Sequence, residues 1–431
     1  MKMNICIAGL GNVGSHLVNS IKKNNEFFKN KTSISFNITG VSAKDFKKKR
    51  IFDISEYQWF DNPLDLINEN RCNVLIELIG NEKGISFELV KKSLEKKIHV
   101  ITANKALLAK HGFELFEIAE KNNVLLLFEA AVAGGIPIIK TLKNNIFLDN
   151  IKKISGILNG TTNYILSTMQ QENMDFEQVL NIAIDKGYTS ASEAELDIGG
   201  FDSAHKLTLL ASLAFGSNID FENNYITGIS NISILDIMNS DKLGYKIKLI
   251  SEAYLSNKKI YCVTEPKLVK KDKPLANVDG VLNAVDIESD HLKSLFLEGE
   301  GAGGRATASS IISDLYEISS NSNIKSLGYR IKNLKNYNKF NIDDIESSYY
   351  LRFITKDVTG VLSKITSSFK DSFISVEKIL QIPDNNNKKN VIPIIITTHK
   401  IKKTKLLQAI KQIEDQEFIL EKISIIPIHN N

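Results

Sequence analysis

A glycine motif near the start of the chain is the feature that most constrains the fold. Gly9, Gly11 and Gly14 have the G-x-G-x-x-G spacing, between a short apolar strand predicted at Asn4–Ala8 and an amphipathic helix predicted at Val13–Lys23. At this place the glycines permit a tight turn, close approach of a pyrophosphate and packing of helix on strand. The helix N-terminus then faces the phosphates. The sequence therefore predicts a dinucleotide site; the alternative is a purely structural turn. The cofactor-binding residues predicted here are Gly9, Gly11, Asn12, Val13 and Gly14.

The order of strand-like and helix-like segments predicts an α/β chain of three parts. Strands and helices alternate through residues 1–130, which is typical of a Rossmann-type, doubly wound parallel sheet. The mixed pattern of residues 131–318 predicts a mixed α/β domain. Residues 319–347, rich in Asn, Ser and Lys, predict a linker with a short helical pattern near Ile324–Leu334. Residues 348–431 show the β-α-β-β-α-β order of a ferredoxin-like domain.

Composition excludes several classes of protein. Among 431 residues, 54 Lys and Arg face 50 Asp and Glu, and the resulting charge of +4 is too small to indicate nucleic-acid binding. The longest apolar stretch, Val124–Ile139, is too short and interrupted to span a bilayer. Cys6, Cys72 and Cys262 are far apart, which argues against a disulfide framework or zinc site and fits a reducing compartment. We expect a soluble cytoplasmic protein without nucleic-acid or membrane partners.

The segment after the second predicted strand, Phe36–Ser42, bears on the choice of cofactor. An acidic residue there binds the ribose 2′-hydroxyl of NAD, whereas a basic residue accommodates the 2′-phosphate of NADP. Lys44 precedes Asp45, and the basic run Lys47–Arg50 follows. This order favours NADP(H), with Lys44 as a cofactor-binding residue. A solvated lysine run in a lysine-rich chain is the alternative, so NAD(H) stays open.

Five further segments carry a specific resemblance. They are Val100–Lys105, Phe128–Pro137, Gly156–Tyr164, Asp197–Lys206 and Gly299–Gly304. Together they resemble the homoserine dehydrogenase family closely and in order over roughly residues 1–315. The resemblance implies that residues 131–318 are the catalytic and dimerisation domain and that a helix near 303–318 completes the first domain. The tail from Tyr349 resembles an ACT domain, an amino-acid-sensing module. Since no kinase-like segment precedes the first strand, the form expected is monofunctional.

The resemblance implies the reversible NAD(P)H-dependent reduction of L-aspartate 4-semialdehyde to L-homoserine, a branch step toward threonine, methionine and isoleucine. Two alternatives are a catalytically weak amino-acid sensor that keeps the fold and a 2-hydroxy-acid dehydrogenase. The second would need an Arg–Glu–His set in the catalytic region, which the sequence does not show.

Reduction of an aldehyde by hydride transfer requires a proton donor for the nascent alkoxide and ionic anchors for the amino acid. By resemblance, Lys206 is the donor, and Lys105, near nicotinamide and substrate, is the second candidate acid. Asp202 is implied to bind substrate, although a helix N-cap is the structural alternative. Asp197 is implied to bind substrate or to hold one of the lysines. Further cofactor-binding residues are Thr102, Lys105 and Gly187.

One segment departs from the family pattern. The family usually has a glutamate that binds the substrate ammonium two residues after a Gly-Tyr pair, and this chain has Ser190 there. Glu193 can take over the role, with Glu195 as a weaker candidate; alternatively the anchor is lost. We predict Glu193 as a substrate-binding residue.

The resemblance also implies a monovalent cation, effectors and partners. Glu129 and the backbone carbonyls of Val132, Gly134 and Ile136 are implied to hold sodium, since oxygen ligands suit a hard cation. The alternative is a loop in which Glu129 bonds to backbone. The turn Asp357–Leu362 matches the effector site of ACT domains, so threonine is a candidate inhibitor unless the tail only mediates assembly. A homo-oligomer, dimer or tetramer, is expected.

Overall fold

The structure, a computed structural model, describes residues 2–68, 72–320, 325–381 and 390–429. The strands are β1 (Lys2–Ala8), β2 (Ser35–Ser42), β3 (Val74–Glu77), β4 (His99–Thr102), β5 (Leu126–Leu127), β6 (Ile151–Ile157), β7 (Asn224–Ile226), β8 (Tyr245–Ser256), β9 (Lys259–Lys270), β10 (Leu282–Ser289), β11 (Lys293–Glu300), β12 (Asn338–Lys339), β13 (Glu346–Ser347), β14 (Tyr349–Lys356), β15 (Val376–Gln381), β16 (Val391–Thr398), β17 (Ile401–Lys402) and β18 (Ser424–Pro427). The α-helices are α1 (Asn12–Thr32), α2 (Ile85–Glu95), α3 (Lys105–Lys121), α4 (Ile138–Lys140), α5 (Gly160–Glu172), α6 (Phe176–Asp185), α7 (Ala194–Ile198), α8 (Phe201–Phe215), α9 (Ile234–Lys242), α10 (Gly304–Ser319), α11 (Val361–Asp371) and α12 (Lys403–Glu414).

The N-terminal sheet has the order β2-β1-β3-β4-β5, and every pair in it is parallel. Its strands are short and apolar because helices cover both faces, as in doubly wound folds. Helices α1 and α10 pack on one face through buried residues such as Leu17 and Ile311, while α2 and α3 cover the other with Leu89 and Leu107. The predicted Rossmann-type sheet is confirmed, and α10 brings residues from far along the chain onto it.

A second sheet of seven strands follows. Its order is β11-β10-β6-β8-β9-β12, and β7 also pairs with β9. The long antiparallel hairpin β8–β9 forms its centre, with Tyr245 opposite Lys270 and Ser256 opposite Lys259. Helix α8 packs against this hairpin, and almost all of its residues are buried. The predicted mixed α/β character of this region is therefore confirmed.

The C-terminal part is a four-stranded antiparallel sheet of order β15-β16-β14-β18, with α11 and α12 packed together beside it. This is the ferredoxin-like arrangement that the sequence predicts. Residues 382–389 and 430–431 of the predicted ACT domain lie outside the described residues.

Contacts with the seven-stranded sheet and with helix α9 fasten this part to the rest of the chain. Ile428 forms a parallel bridge with Leu268 of β9, and the Arg352 guanidinium donates to both carboxylate oxygens of Asp236, at 2.7 and 3.2 Å.

The stretch predicted as a linker contains short paired strands. β12 pairs with β9, and β13 pairs with β17 of the C-terminal part. Residues 331–333 form a single 3₁₀ turn, so the helical pattern predicted at Ile324–Leu334 is wrong where it is described; residues 321–324 lie outside the described ranges. Within those ranges, no helix is long and apolar enough to cross a bilayer.

Candidate active site

The glycine turn between β1 and α1 is built on close backbone contacts. Gly9 has φ of +106°, and a Cβ there would lie 2.4 Å from the carbonyl oxygen of Leu78. A Cβ on Gly14 would lie 2.1 Å from the carbonyl oxygen of Gly9. Neither position has room for a side chain, which explains the first and third glycines of the motif.

The end of α1 that follows the turn is open. Gly11 is the N-cap of the helix, and a Cβ on it would meet no atom within 4 Å. Asn12 and Val13 form the first helical positions. The unpaired N–H groups of such a terminus attract phosphate oxygens. The free space at Gly11 and these N–H groups fit a dinucleotide pyrophosphate.

Lys44 lies two residues beyond the end of β2, beside this turn. The Gly9 N–H donates to the carbonyl of Ser42 at 2.8 Å, which holds the end of β2 against the glycine turn. The Arg50 guanidinium donates to three carbonyl groups of residues 45–48 at 2.5–3.1 Å and so closes the loop. Lys44 is left exposed in that loop.

Thr102 ends β4 and bonds to Glu77, a buried glutamate that is not among the predicted site residues. The Thr102 hydroxyl donates to Glu77 at 2.6 Å, and the N–H groups of Ile79 and Gly80 donate to the same carboxylate at 2.9 and 3.2 Å. Burial raises the pKa of Glu77, and these hydrogen bonds oppose the shift. Glu77 thus fixes the loops at the carboxyl ends of β3 and β4, where ligands of open α/β sheets bind. A charged residue inside the apolar run Val74–Ile79 was the available signal.

Three charged side chains meet where α3 and α8 begin. The Lys206 ammonium donates to Asp202 at 2.6 Å and to the Leu158 carbonyl at 2.6 Å. The Lys105 ammonium lies 3.0 Å from the other oxygen of the same carboxylate. Gly200, with φ of +84°, is the N-cap of α8, so Asp202 lies inside the helix and the N-cap alternative for it is wrong. The structure thus brings together both predicted lysines and Asp202.

Asn159 links the two predicted aspartates. Its amide donates to Asp197 at 2.7 Å and to Asp202 at 2.9 Å, while its oxygen accepts the Thr162 N–H at 2.8 Å as the N-cap of α5. Asn159 lies in the Gly156–Tyr164 motif, which by itself assigns this residue no role. Its contacts hold both carboxylates at one place.

The charged groups of this cluster shift one another's pKa values. Burial disfavours ionisation of Asp202, but Lys105 and Lys206 outweigh it and hold the pKa of Asp202 well below its usual value. The charge of Asp202 in turn raises the pKa of Lys105 against the effect of burial. Burial and the neighbouring charge of Asp202 raise the pKa of Asp197. Asp202 is therefore an anion between two ammonium groups, and Lys105 is a cation in the free site.

Ser190 and Glu193 contact each other in the segment that departs from the family pattern. The Ser190 hydroxyl donates to the Glu193 carboxylate at 3.0 Å. Glu193 is exposed, and its charge contributes to the raised pKa of Lys105. Gly187, with φ of +73°, turns the chain after α6 into this segment. Glu193 is thus within electrostatic reach of the lysine–aspartate cluster.

Glu129 lies buried beyond the end of β5. Its two carboxylate oxygens accept the N–H groups of Ile139 and Lys140, both at 2.9 Å, and its own N–H donates to Asp314 at 2.9 Å. Burial, with the neighbouring charge of Asp314, raises the pKa of Glu129 to about 8. The backbone hydrogen bonds of Glu129 that were given as the alternative to a sodium site are therefore present. They compensate the charge of the Glu129 carboxylate poorly.

The backbone carbonyls predicted to bind sodium belong to the loop that follows Glu129. The Gly134 carbonyl accepts the Ser310 hydroxyl at 2.6 Å, and the Ile136 carbonyl accepts the Ile138 N–H at 2.8 Å. Val132 follows the short 3₁₀ turn that begins at Glu129. Each oxygen still has a second lone pair available for a cation.

A dinucleotide turn at the carboxyl edge of a parallel sheet, joined there to a buried lysine–aspartate cluster, defines a nicotinamide-dependent dehydrogenase. Residues 9–129 match the family described as homoserine dehydrogenase, NAD binding domain, and residues 137–316 match homoserine dehydrogenase.

Individual proteins agree with these matches. The chain is 36% identical to the homoserine dehydrogenase of Bacillus subtilis over 99% of its own length and 98% of that protein. It superposes with a TM-score of 0.92 on the crystal structure of a homoserine dehydrogenase from Thiobacillus denitrificans, at 32% identity over 100% of this chain and 99% of that one. A hyperthermophilic archaeal homoserine dehydrogenase in complex with NADPH matches 75% of this chain and 99% of its own, at 26% identity and a TM-score of 0.65.

The chain belongs to the homoserine dehydrogenase family. It is an NAD(P)-dependent oxidoreductase of amino-acid biosynthesis, and the comparisons do not support the amino-acid sensor or the 2-hydroxy-acid dehydrogenase.

Proposed function

We propose that Lys206 is the proton donor in the reduction of L-aspartate 4-semialdehyde. The observation that carries the proposal is its position: its side chain is only 10% exposed, and two of its three N–H bonds go to Asp202 and Leu158. One N–H is left for a substrate oxygen. A reduced nicotinamide, when bound, would supply a hydride, which is two electrons and a proton, for the aldehyde carbon. As the carbonyl π bond breaks, Lys206 gives a proton to the oxygen, and water then returns a proton to the lysine.

Lys105 has a different role in this proposal. Its side chain is 39% exposed, and Asp202 keeps it charged in the free site. A fixed cation at the carboxyl end of β4 lowers the energy of the developing alkoxide and helps to orient the aldehyde. Lys105 is also the first residue of α3, where the helix dipole disfavours a cation. That placement supports a role in binding rather than in helix stability.

The acidic residues hold the substrate ammonium and the lysines. Asp202 fixes both ammonium groups, and Asn159 orients Asp202 and Asp197 together. We assign Asp197 and Glu193 to the ammonium of the substrate, because both are acidic and close to the cluster while neither is paired with a lysine at hydrogen-bond distance in the described residues. Glu193 would replace the glutamate whose place Ser190 takes.

The experiment that tests these roles compares Lys206→Met with Lys105→Met. For Lys206→Met we expect kcat to fall about 10²–10⁴-fold, the usual contribution of a general acid, with a small change in KM. For Lys105→Met we expect KM to rise as well, since binding is lost. A kcat of Lys206→Met within threefold of wild type would exclude it as the donor.

NADP(H) is our proposed cofactor. The exposed Lys44 and the basic loop beside the glycine turn provide positive charge where a 2′-phosphate would lie. A solved relative with bound NADPH supports the same choice. Thr102 and Gly187 complete the proposed cofactor contacts through their backbone, because the Thr102 hydroxyl is already bonded to Glu77.

We also propose a sodium ion at the Glu129 loop. Three buried carboxylates, those of Glu129, Asp314 and Glu317, face only two ammonium groups, those of Lys140 and Lys143. One further positive charge balances this cluster. The carbonyls of the loop would supply the neutral oxygen ligands that a monovalent cation needs.

The C-terminal part is proposed as an ACT domain that binds threonine at the turn Asp357–Leu362. Gly360 in that turn has φ of +89° and starts α11, as an effector loop at a helix N-terminus would require. Assays with added L-threonine test this; unchanged activity up to millimolar threonine rejects it.

A homo-oligomer, dimer or tetramer, is proposed on the exposed sheet edges. β11 and β15 lie at sheet edges, where backbone groups can pair with a second copy. Light scattering measures the mass in solution. A cytoplasmic location is supported by Cys6, Cys72 and Cys262, which are buried and form no disulfide.

A further inference from the structure

A cavity of about 230 Å³ lies between the seven-stranded sheet and the C-terminal part. Its floor is formed by side chains of β6, β8 and β9, and its opposite wall by residues 342–349 and by the segment around Lys400 and Lys403. A single water needs only about 10–15 Å³ of such volume, whereas drug-sized ligands occupy pockets from ~300 Å³ upward. The space therefore suits a small metabolite.

The floor of this cavity is charged although it is buried. Glu252, Glu265 and Lys267 are 7%, 7% and 6% exposed. Lys267 bonds to Glu252 and lies 3.4 Å from Glu265, and Lys153 lies 3.4 Å from Glu252. Burying each of these ions is unfavourable before pairing, and apolar residues of the same size would fill the space without that penalty. Charges kept at this place indicate a charged ligand.

The carboxylates of Glu252 and Glu265 differ in the number of partners that they contact. Glu252 contacts Lys267, Lys153 and the imidazole of His429, whose Nδ1 is 3.4 Å away. The described contact of Glu265 is with Lys267 alone, at 3.4 Å. A carboxylate has about four acceptor positions, so Glu265 can receive a further cationic donor from the cavity.

The opposite wall offers the complementary charge. Lys403 donates to the Tyr225 hydroxyl at 2.9 Å and lies over its ring, so its ammonium is already held. Lys400 is exposed at the mouth and has no ion pair within the described part of the chain. An anion entering the cavity would be bound there, while a cation would be bound at Glu265.

We propose that this cavity binds a free α-amino acid, with its ammonium on Glu265 and its carboxylate on Lys400. The ligand carries both charges on adjacent carbons, which matches opposite charges on two walls of a small space, and its neutral net charge leaves the paired ions of the floor undisturbed. The site is separate from the proposed effector turn at Asp357–Leu362 and from the lysine–aspartate cluster.

The cavity also borders the catalytic loop across one layer of sheet. Successive residues of a strand point to opposite faces. Glu265 faces the cavity, and its neighbour Thr264 faces Gly200, where a Cβ would lie 3.3 Å from the Thr264 methyl group. Gly200 lies between Asp197 and Asp202, so the amino-acid site and the catalytic site share β9.

The test measures binding to the full-length enzyme by calorimetry and by thermal unfolding. The probes are the proteinogenic L-amino acids and L-homoserine, followed by the 2-hydroxy acid corresponding to the amino acid that binds most tightly. We expect one or more small amino acids to bind and the 2-hydroxy acid, which lacks the ammonium, to bind at least tenfold more weakly.

Variants then locate the site. Lys400→Gln and Glu265→Gln should weaken binding at least tenfold, while Lys405→Gln, an exposed lysine outside the cavity, should bind as wild type does. Asp357→Asn in the effector turn should bind every amino acid except threonine as wild type does. Lys400 is exposed, so its variant should fold and keep the basal activity of the enzyme. Binding that is absent in wild type, unchanged in Lys400→Gln, or lost only in Asp357→Asn would overturn the proposal. Basal activity measured in parallel tests the dehydrogenase assignment separately.

Discussion

Replacing Asp202 by asparagine separates the charge of this carboxylate from its size. The change leaves Lys105 and Lys206 facing a neutral amide, and breaking a buried ion pair in this way costs about 3–5 kcal/mol. Because the Lys105 side chain is 39% exposed and can be hydrated, we expect a loss smaller than that range, about 2–3 kcal/mol, in the free energy of unfolding. Lys206 also loses the bond that orients it, so kcat should fall about 10²–10³-fold. Urea unfolding and steady-state NADPH oxidation measure the two effects.

The pH dependence of Asp202→Asn gives an independent check. The pKa of Asp202 is lowered by folding, so its contribution to stability is present above the pKa of the unfolded chain, about 3.9, and is lost as the pH falls further. The pKa of Lys105 is raised, so its contribution is present below its unfolded pKa near 10.4 and is lost as the pH rises through the folded value. The difference between wild type and variant should therefore be constant at neutral pH and shrink below about pH 4.

Asp185, an exposed aspartate, provides the matched control, and Asp185→Asn should change neither stability nor kcat. Equal unfolding free energies of wild type and Asp202→Asn at pH 7 would refute the reasoning. A difference that stays constant down to strongly acidic pH would also refute it, since the ion pair could not then be its source.

Four further variants test other parts of the structure. Glu193→Ala should raise the KM for aspartate semialdehyde about tenfold, the effect of losing one charge-assisted contact of ~1.5 kcal/mol, and Glu195→Ala should not; equal KM values in steady-state assays would contradict this. Lys44→Ala should raise the KM for NADPH severalfold and leave that for NADH unchanged, as assays with both cofactors will show. NaCl should raise the unfolding temperature of wild type above that in choline chloride of equal ionic strength, and Glu129→Gln should abolish the difference. Arg352→Ala, which leaves a buried carboxylate unpaired, should lower the unfolding free energy by about 3 kcal/mol in urea titrations; a change below about 0.5 kcal/mol, typical of surface positions, would show that this ion pair does not hold the C-terminal part.

The sequence predicted the parallel sheet well because its signals are local. Apolar strands and a glycine turn specify the β1–α1 unit without reference to the rest of the chain. The long strand β8 was missed for the opposite reason. Lys248 is 2% exposed within it, and its ammonium donates to the Val278 carbonyl at 2.6 Å and to Asp279 at 2.8 Å. A charged residue that is buried through partners thirty positions away breaks the apolar pattern of a strand.

The candidate active site shows the same difference between local sequence signals and contacts between distant segments. Lys105, Lys206 and Asp202 were identified through motifs, but their arrangement depends on contacts between segments far apart in the chain. Asn159, which joins two carboxylates across about forty residues, has no local signature beyond that of a helix N-cap. Local propensity also favoured Asp202 as an N-cap, whereas in the structure the N-cap of α8 is Gly200, which has the positive φ that glycine readily adopts.

Ser190 stands where the family has a glutamate, and its contact with Glu193 bears on our proposal that Glu193 takes over the substrate contact. Serine carries no negative charge to pair with an ammonium group, but its hydroxyl donates to Glu193 three residues later. That bond restrains an otherwise exposed carboxylate and therefore reduces the entropy that Glu193 would lose on binding. Glu193 already acts electrostatically on Lys105 in the free enzyme, so the negative charge has been kept near the cluster although its position in the sequence has changed. If this interpretation is correct, Ser190→Ala should weaken substrate binding only through Glu193, and the double variant with Glu193→Ala should have the same KM as Glu193→Ala alone.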